Sequence, residues 1–277
     1  MVLAAATLAA SSLFAAAEDM LPSWNEGPAK AAIVDFVADT TTADSPDFVP
    51  EAERVATFDQ DGTLWVEQPI YTQLRFSLDR LKALAEANPA LATKEPYKTA
   101  LTGDPAQLKT LVVDDWRKVL ALTFTGMDIE TLDGEVDAWM AEARDSRWDR
   151  PYAELIYQPM LELMRYLRAN GYRTYIVTGG GQDFVRTYAD DVYGIPVEQI
   201  VGTSFETRFD YDEGGEARLV IEPKLFFDDD FDGKARGIAL FVGRRPQAAA
   251  GNSTGDREML EYTTAGEGRR LGLLVLH

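Results

Sequence analysis

Arg54-Val55-Ala56-Thr57-Phe58 runs directly into Asp59-Gln60-Asp61-Gly62-Thr63-Leu64, and the reading of this junction decides the fold. The first five residues predict a short strand, which ends at two carboxylates spaced i and i+2. A strand end leaves side chains and backbone amides at the carboxyl edge of a sheet, where α/β folds bind ligands. Gly62 lets the backbone turn tightly and aim N–H groups at an anion. The plainer reading is a turn with incidental aspartates, since Asp and Gly are common turn residues. The complete string in its strand context is more specific than that.

Outward from this point, Pro28 to Asp39 predicts an amphipathic helix, followed by a polar loop from Thr40 to Pro50. Beyond Val66 the pattern changes. Ile70–Ala87, Pro105–Thr123 and Asp128–Arg144 carry apolar residues at three- and four-residue spacing, and no strand is expected between them. An all-helical cap over residues 66–149 is therefore expected to interrupt a core made of residues 18–65 and 150–277. In the second part of that core, Leu155–Ala169 reads as a helix stopped by Asn170-Gly171, and Arg173–Val177 as a strand. Thr178-Gly179-Gly180-Gly181 reads as a turn opening another helix. Ile200–Phe209 and Ala217–Glu222 predict a hairpin around Asp212-Glu213-Gly214-Gly215. Lys234 opens a helix after the acidic run Asp228–Asp232, and Gln247–Ala250 and Leu271–Leu276 predict two last strands. Strands alternating with helices imply an α/β fold: a Rossmann-like, mainly parallel sheet with helices on both faces. The final apolar run meets His277 at once, which leaves open whether the last strand is complete.

Composition removes several chemistries. The 277 residues suit one large domain or two small ones, and 46% hydrophobic content supports a packed core. A formal charge of −19 argues against nucleic acid as a partner, because no basic surplus exists to displace counterions. An anionic substrate would need a locally positive site built from a metal, a lysine and backbone N–H groups. Cysteine is absent and the one histidine is His277, so thiolate chemistry and serine–histidine catalysis are nearly excluded. Met1 to Ala17 is uncharged, rich in Ala and Leu, and ends in Ala15-Ala16-Ala17 before Glu18. This resembles a cleaved secretory signal of residues 1–17, although no basic residue precedes Lys30. The competing readings are a membrane anchor and a buried helix. Export is expected, to the periplasm in a Gram-negative source, with no stable membrane insertion after cleavage; if the segment is not a signal, the location would be cytoplasmic. The sequence carries no signal for oligomeric state.

The residues themselves suggest phosphoryl chemistry. Asp59 can attack phosphorus as a nucleophile, splitting one hard displacement into two easier ones. Asp61 is near enough to protonate a leaving oxygen and later to activate water. Thr178 offers a hydroxyl and Gly179 an unhindered N–H at a helix N-terminus, where the dipole favours an anion. Lys234 can place a positive charge beside phosphoryl oxygens, with Lys224 as its rival. The run Asp228-Asp229-Asp230-Phe231-Asp232 is expected to be a solvated loop. Trp65, Glu67, Gln68 and Arg75, where the chain enters the cap, could touch a leaving group or simply pack the hinge.

Phe58-Asp59-Gln60-Asp61-Gly62-Thr63-Leu64 resembles the first motif of the haloacid dehalogenase-like hydrolases. Thr178 with Gly179, Lys234, and Gly251-Asn252-Ser253-Thr254-Gly255-Asp256 resemble the second, third and fourth motifs, in order. The helical cap falls where that superfamily carries one. The resemblance, strongest to the phosphatase branch that includes phosphoserine phosphatase, implies a Mg2+-dependent phosphoric monoester hydrolase acting on small phosphorylated substrates. It further implies phosphate contacts from Gly62, Thr178, Gly179 and Lys234, and Mg2+ contacts from Asp59, the Asp61 carbonyl, Asn252 and Asp256. Asn252 departs from the usual aspartate and should weaken the metal site. An acid at Asp61 argues against dehalogenation. A phosphomutase and a non-catalytic phosphate-binding module are the alternatives.

Overall fold

The computed structural model describes residues 20–277; the segment read as a signal, Met1–Ala17, lies outside them. In chain order, helix α1 (Pro28–Thr41) precedes strand β1 (Val55–Phe58), and the chain then leaves for the cap. The cap holds α2 (Thr72–Ala87), α3 (Tyr97–Leu101), α4 (Pro105–Leu108), α5 (Val113–Phe124) and α6 (Ile129–Glu142). A two-residue ladder, β2 (Arg144–Asp145) with β3 (Arg150–Pro151), closes it. The core resumes with α7 (Gln158–Ala169), β4 (Arg173–Gly181), α8 (Gln182–Tyr193), β5 (Ile200–Tyr211) and β6 (Ala217–Phe227). It ends with α9 (Asp232–Gly237), β7 (Ala248–Gly251), α10 (Arg257–Thr264) and β8 (Leu271–Leu274).

The main sheet has the order β6-β5-β4-β1-β7-β8, with only β6 running antiparallel to its neighbour. Alternate residues of its central strands feed two cores. Val55, Tyr175, Val177 and Ala249 pack against Ile238 and Met259 on one side. Ala56, Phe58, Ile176 and Ala250 pack against Phe36, Met164 and Phe184 on the other. This period of two with both faces buried explains the near-continuous apolar runs. Ala248, Ala249 and Ala250 have little strand preference of their own, so their burial beside β1 overrides propensity.

Register then builds the site. Phe58 lies opposite Ile176 of β4 and Ala250 of β7. Asp59, Thr178 and Asn252, one or two residues further on, therefore leave the sheet at one edge. The chain reverses its direction of strand addition there, between β1 and β7, which is where such sheets hold ligands.

Several expectations need adjustment. Pro105–Thr123 is two helices, because Asp104 caps α4 through the Ala106 N–H at 2.9 Å and Asp115 reaches back to the Val112 N–H at the start of α5. The residues Thr178–Gly181 continue β4 with an irregular register instead of turning tightly. The hairpin is longer than its sequence pattern, and it joins the cap. Ile221 donates to the Met127 carbonyl at 2.8 Å and accepts from Gly126 at 2.9 Å. The cap is thus not wholly helical, since a strand pair completes one side. Phe76 of α2 bridges cap and core, with its ring 6.0 Å from Phe124 and 5.5 Å from Phe184.

Candidate active site

The carboxyl edge of β1, β4 and β7 forms the floor of a cavity of about 260 Å3 roofed by α2 and α5. Asp59 and Lys234 are buried in that floor. The Lys234 ammonium donates to Oδ1 of Asp59 and to Oδ1 of Asp256, both at 2.5 Å. Burial is the largest single influence on this lysine and lowers its proton affinity, but the two carboxylates reverse it and hold the pKa above the ordinary lysine range. Burial pushes Asp59 up to about 6, against the opposing pull of Lys234. Lys224 stands elsewhere, exposed on the hairpin and paired with Glu206 at 2.6 Å.

Asp61 faces the cavity. Burial raises its pKa to about 7, and the neighbouring Asp59 and Glu67 charges add to this. The opposing force is a hydrogen bond from the Trp65 indole Nε1–H to Asp61 Oδ1 at 2.7 Å. Trp65 is itself buried and stacks on Tyr188 at 5.0 Å. Of the two uses sequence left open for Trp65, packing is the one realised, and the indole also aims Asp61. A carboxyl group half-ionised near neutrality can both give and take a proton there.

Gly62 has φ +80, and a Cβ on it would meet Asn252 Nδ2 at 2.2 Å, so no side chain fits beneath that amide. The Thr63 hydroxyl donates to Asp59 Oδ2 at 3.1 Å, and Thr178 accepts from the Gly180 N–H at 3.0 Å. Gly179 and Gly180 line the cavity beside Thr178. Of the residues read as entering the cap, Glu67 lines the cavity. Gln68 is exposed, and Arg75 pairs with Asp79 at 2.9 Å away from the cavity.

Asp256 is fully buried and both of its oxygens are occupied. Oδ1 holds Lys234, while Oδ2 accepts from the backbone N–H groups of Asn252 and Ser253, each at 2.9 Å. Asp256 thereby orients the loop that carries Asn252. The Asn252 side-chain oxygen lies 3.1 Å from the Asp61 carbonyl oxygen and 3.2 Å from Asp59 Oδ2. An oxygen facing two others is repelled unless a cation or a donor lies among them, and the Thr63 hydroxyl, 3.2 Å from the Asn252 oxygen and 3.1 Å from Asp59 Oδ2, meets part of that need. Ligands on adjacent corners of a Mg2+ octahedron stand about 3 Å apart, so this trio fits that ion. With the amide turned over, Nδ2 would donate to the same oxygens, and a bound cation favours the first orientation. Among the described residues no group of three or more His, Cys, Asp or Glu side chains is arranged for a metal. The donor set here is one carboxylate, one backbone carbonyl and one amide.

The acidic run corrects its sequence reading. Asp229 is fully buried under α9, with neither carboxylate oxygen hydrogen-bonded, and burial pushes it up to about 8. Asp228 and Asp230 line the cavity. A Cβ on Gly179 would lie 3.2 Å from Asp230 Cγ, which puts this carboxylate against the Thr178 loop. Burial also raises the pKa of Asp230. Composition alone marks such a run as solvated; its flanks, the apolar end of β6 and the Gly-Lys start of α9, are the signal that it turns inward.

Two cap residues were not singled out from sequence. Gln73 of α2 is buried and accepts from the Gly181 N–H at 2.7 Å, which ties the cap to the end of β4. Arg117 of α5 is hydrogen-bonded to Asp228 and donates to Asp114 at 3.1 Å. Both lie on helix faces toward the core, which is visible only once the cap is docked.

The sequence matches the haloacid dehalogenase-like hydrolase family over residues 56–261. It belongs to that family. The matched span starts in β1 and ends in α10, so it takes in the whole floor of the cavity and the inserted cap. A solved protein from Anaerococcus prevotii, described as functionally unknown, is 16% identical with a TM-score of 0.53, covering 83% of this chain and 81% of its own. One of unknown function from Bordetella pertussis is also 16% identical, with a TM-score of 0.50 over 76% of this chain and 86% of its own. A phosphoserine phosphohydrolase-like protein from Francisella tularensis is 14% identical with a TM-score of 0.42, covering 75% and 82%. At these identities the first two share the fold, and the third adds nothing to that. No curated protein matches the sequence. A hydrolase of this family is an enzyme.

Proposed function

We propose that this hydrolase is a Mg2+-dependent phosphatase of small phosphomonoesters that works through an aspartyl-phosphate on Asp59. The observation that carries the reading is the pairing of a buried carboxylate, Asp59, with a half-buried one, Asp61, in different environments. Asp59 is held against an ammonium, which pulls its pKa down against burial; among the described residues Asp61 is hydrogen-bonded to no cation, and burial raises its pKa to about 7. Such a division assigns a nucleophile and an acid–base partner.

In the first step an Asp59 carboxylate oxygen attacks phosphorus and the bond from phosphorus to the ester oxygen breaks. The departing alkoxide takes the proton of Asp61. In the second step a water oxygen attacks phosphorus and gives a proton to the Asp61 carboxylate, and Asp59 leaves as inorganic phosphate is released. Lys234 neutralises charge beside Asp59 in both steps, and Thr178 with the Gly179 N–H offers donors to the phosphoryl oxygens. Asp59, the Asp61 carbonyl and Asn252 would hold Mg2+, which supplies charge neutralisation to the phosphoryl group when bound. The roofed 260 Å3 cavity suits a small ester and excludes a folded protein.

Phosphate release from purified protein, with Mg2+ and with EDTA, tests the reading together with acid-quench trapping of the phosphoenzyme. Asp59→Asn should lower turnover by more than about 10,000-fold and abolish trapping. Wild-type turnover in that variant would remove the mechanism. Interconversion of sugar phosphates without net release would favour a mutase, and phosphate binding without turnover a binding module. Export is part of the same proposal, supported by the Ala15-Ala16-Ala17 pattern. N-terminal sequencing of natively expressed protein should begin near Glu18, and an intact Met1 would count against export.

A further inference from the structure

Beyond its floor, the cavity has the wrong charge for an ordinary anionic ester. Five carboxylates line it, Asp59, Asp61, Glu67, Asp228 and Asp230, against two cations, Lys234 and Arg117. Lys234 is committed to Asp59 and Asp256, and Arg117 to Asp114 and Asp228. With a divalent cation at the floor and Asp61 carrying its catalytic proton, the lining has no net positive charge left to offset an arriving phosphate. No uncommitted cation remains among the lining residues to receive a carboxylate on the leaving group. The side toward the cap is instead aromatic and apolar, with Tyr71, Trp116 and Leu120. Among the described residues Glu67 and Asp230 form no ion pair, and the Tyr71 hydroxyl feels their charge. Its pKa is pushed up to about 12, by burial first and then by Glu67, Asp61, Asp59 and Asp230.

We propose that the substrate is a phosphomonoester whose alcohol half carries an ammonium group and no carboxylate, held between the Glu67 and Asp230 carboxylates and the Tyr71 and Trp116 rings. This rests on the phosphatase reading above and narrows it. A cation in that position offsets the surplus negative charge, and a methylated ammonium also gains from the aromatic faces. The 260 Å3 volume fits a short alkyl chain between the phosphate and the cation.

The test compares four esters on the full chain with Mg2+ at low salt. They are trimethylammonioethyl phosphate, aminoethyl phosphate, the neutral isostere 3,3-dimethylbutyl phosphate, and O-phosphoserine. The expected result is kcat/KM at least about tenfold higher for the trimethylammonio ester than for its isostere, from cation–π and ion pairing together. That ratio should shrink, mainly through KM, when Glu67→Gln and Asp230→Asn are combined. Equal rates for the charged and neutral isosteres, with hydrolysis still dependent on Asp59, overturn this inference and leave the phosphatase reading standing. O-phosphoserine as the best ester overturns it as well. In parallel, choline and 3,3-dimethylbutanol are compared as thermal-shift ligands of Asp59→Asn, which should not turn over. A shift with choline alone supports the cation subsite even if no ester is hydrolysed, an outcome that would sink only the phosphatase reading. Equal shifts, or none, overturn the subsite.

Discussion

The ammonium of Lys234 lies 2.5 Å from Oδ1 of Asp59, although 175 residues separate them in sequence and both are buried. Asp256 grips the same ammonium from the other side. The nucleophile proposed here is thus one arm of a buried triad, and its charge state depends on the lysine.

Lys234→Met should test that dependence. It leaves two buried carboxylates uncompensated, so stability at pH 7 should fall by about 3–5 kcal/mol in chemical denaturation. Asp59 loses the attraction that holds its pKa down to about 6, so ionising it requires higher pH. The acid limb of the kcat/KM profile should move to higher pH, and the maximum rate should fall by about 100- to 1,000-fold. An unmoved acid limb would detach Lys234 from Asp59 function.

Trp65→Phe isolates the second carboxylate. The indole N–H favours ionised Asp61, so its removal should raise the Asp61 pKa above about 7. If Asp61 must be protonated to release the alcohol, the alkaline limb moves to higher pH. Phe keeps much of the stack on Tyr188, and circular dichroism verifies the fold. A shift in the opposite direction would mean that another group sets that limb.

Asn252 is the amide of the proposed Mg2+ site. Asn252→Ala removes one of three converging oxygens and should raise the Mg2+ requirement by about tenfold or more. Asn252→Asp adds charge and should lower the requirement. Both are read by titrating activity with Mg2+ after EDTA treatment. Superimposable curves for wild type and Asn252→Ala would exclude it as a ligand.

Asp229 is a stability matter. Its folded-state pKa of about 8 lies above the unfolded value near 4, so the folded chain binds the extra proton between them. Stability must therefore fall as pH rises through that window and level off above it. Asp229→Asn removes this slope, so the variant's gain over wild type should grow from about pH 4 to about pH 8. Denaturation midpoints across that range decide it; a gain independent of pH would mean that the carboxylate is not titrating.

The contrast between Asp59 and Asp229 explains how much could be read in advance. Asp59, Asp61 and Asn252 follow strand ends and Lys234 stands at a helix start, boundaries that local pattern predicts, whereas Thr178 lies inside β4. Sheet register brings Asp59, Thr178 and Asn252 to one edge, and α9 delivers Lys234 to it. Asp229 looks like its neighbours in an acidic run, and only the packing of α9 against the sheet buries it. The Trp65–Asp61 contact is local in sequence, yet its direction is set by Tyr188 behind the indole. Gln73 and Trp116 sit on helix faces whose partner is known only after the cap docks. The hairpin was legible from its turn, but its contribution to the cap was not, since Met127 and Ile221 meet 94 residues apart.

Asp256 ties the exit of β7 to Lys234 at the start of α9, and that lysine in turn holds Asp59 at the exit of β1. None of these segments carries a working piece of the site alone. A nascent or cleaved chain lacking the residues after α9 would hold Asp59 without its restraining lysine geometry, and the carboxylates would sit as ordinary solvated acids. Recovery of turnover during refolding should therefore lag until the last strands are in place, which makes activity a reporter of finished assembly and not of early collapse.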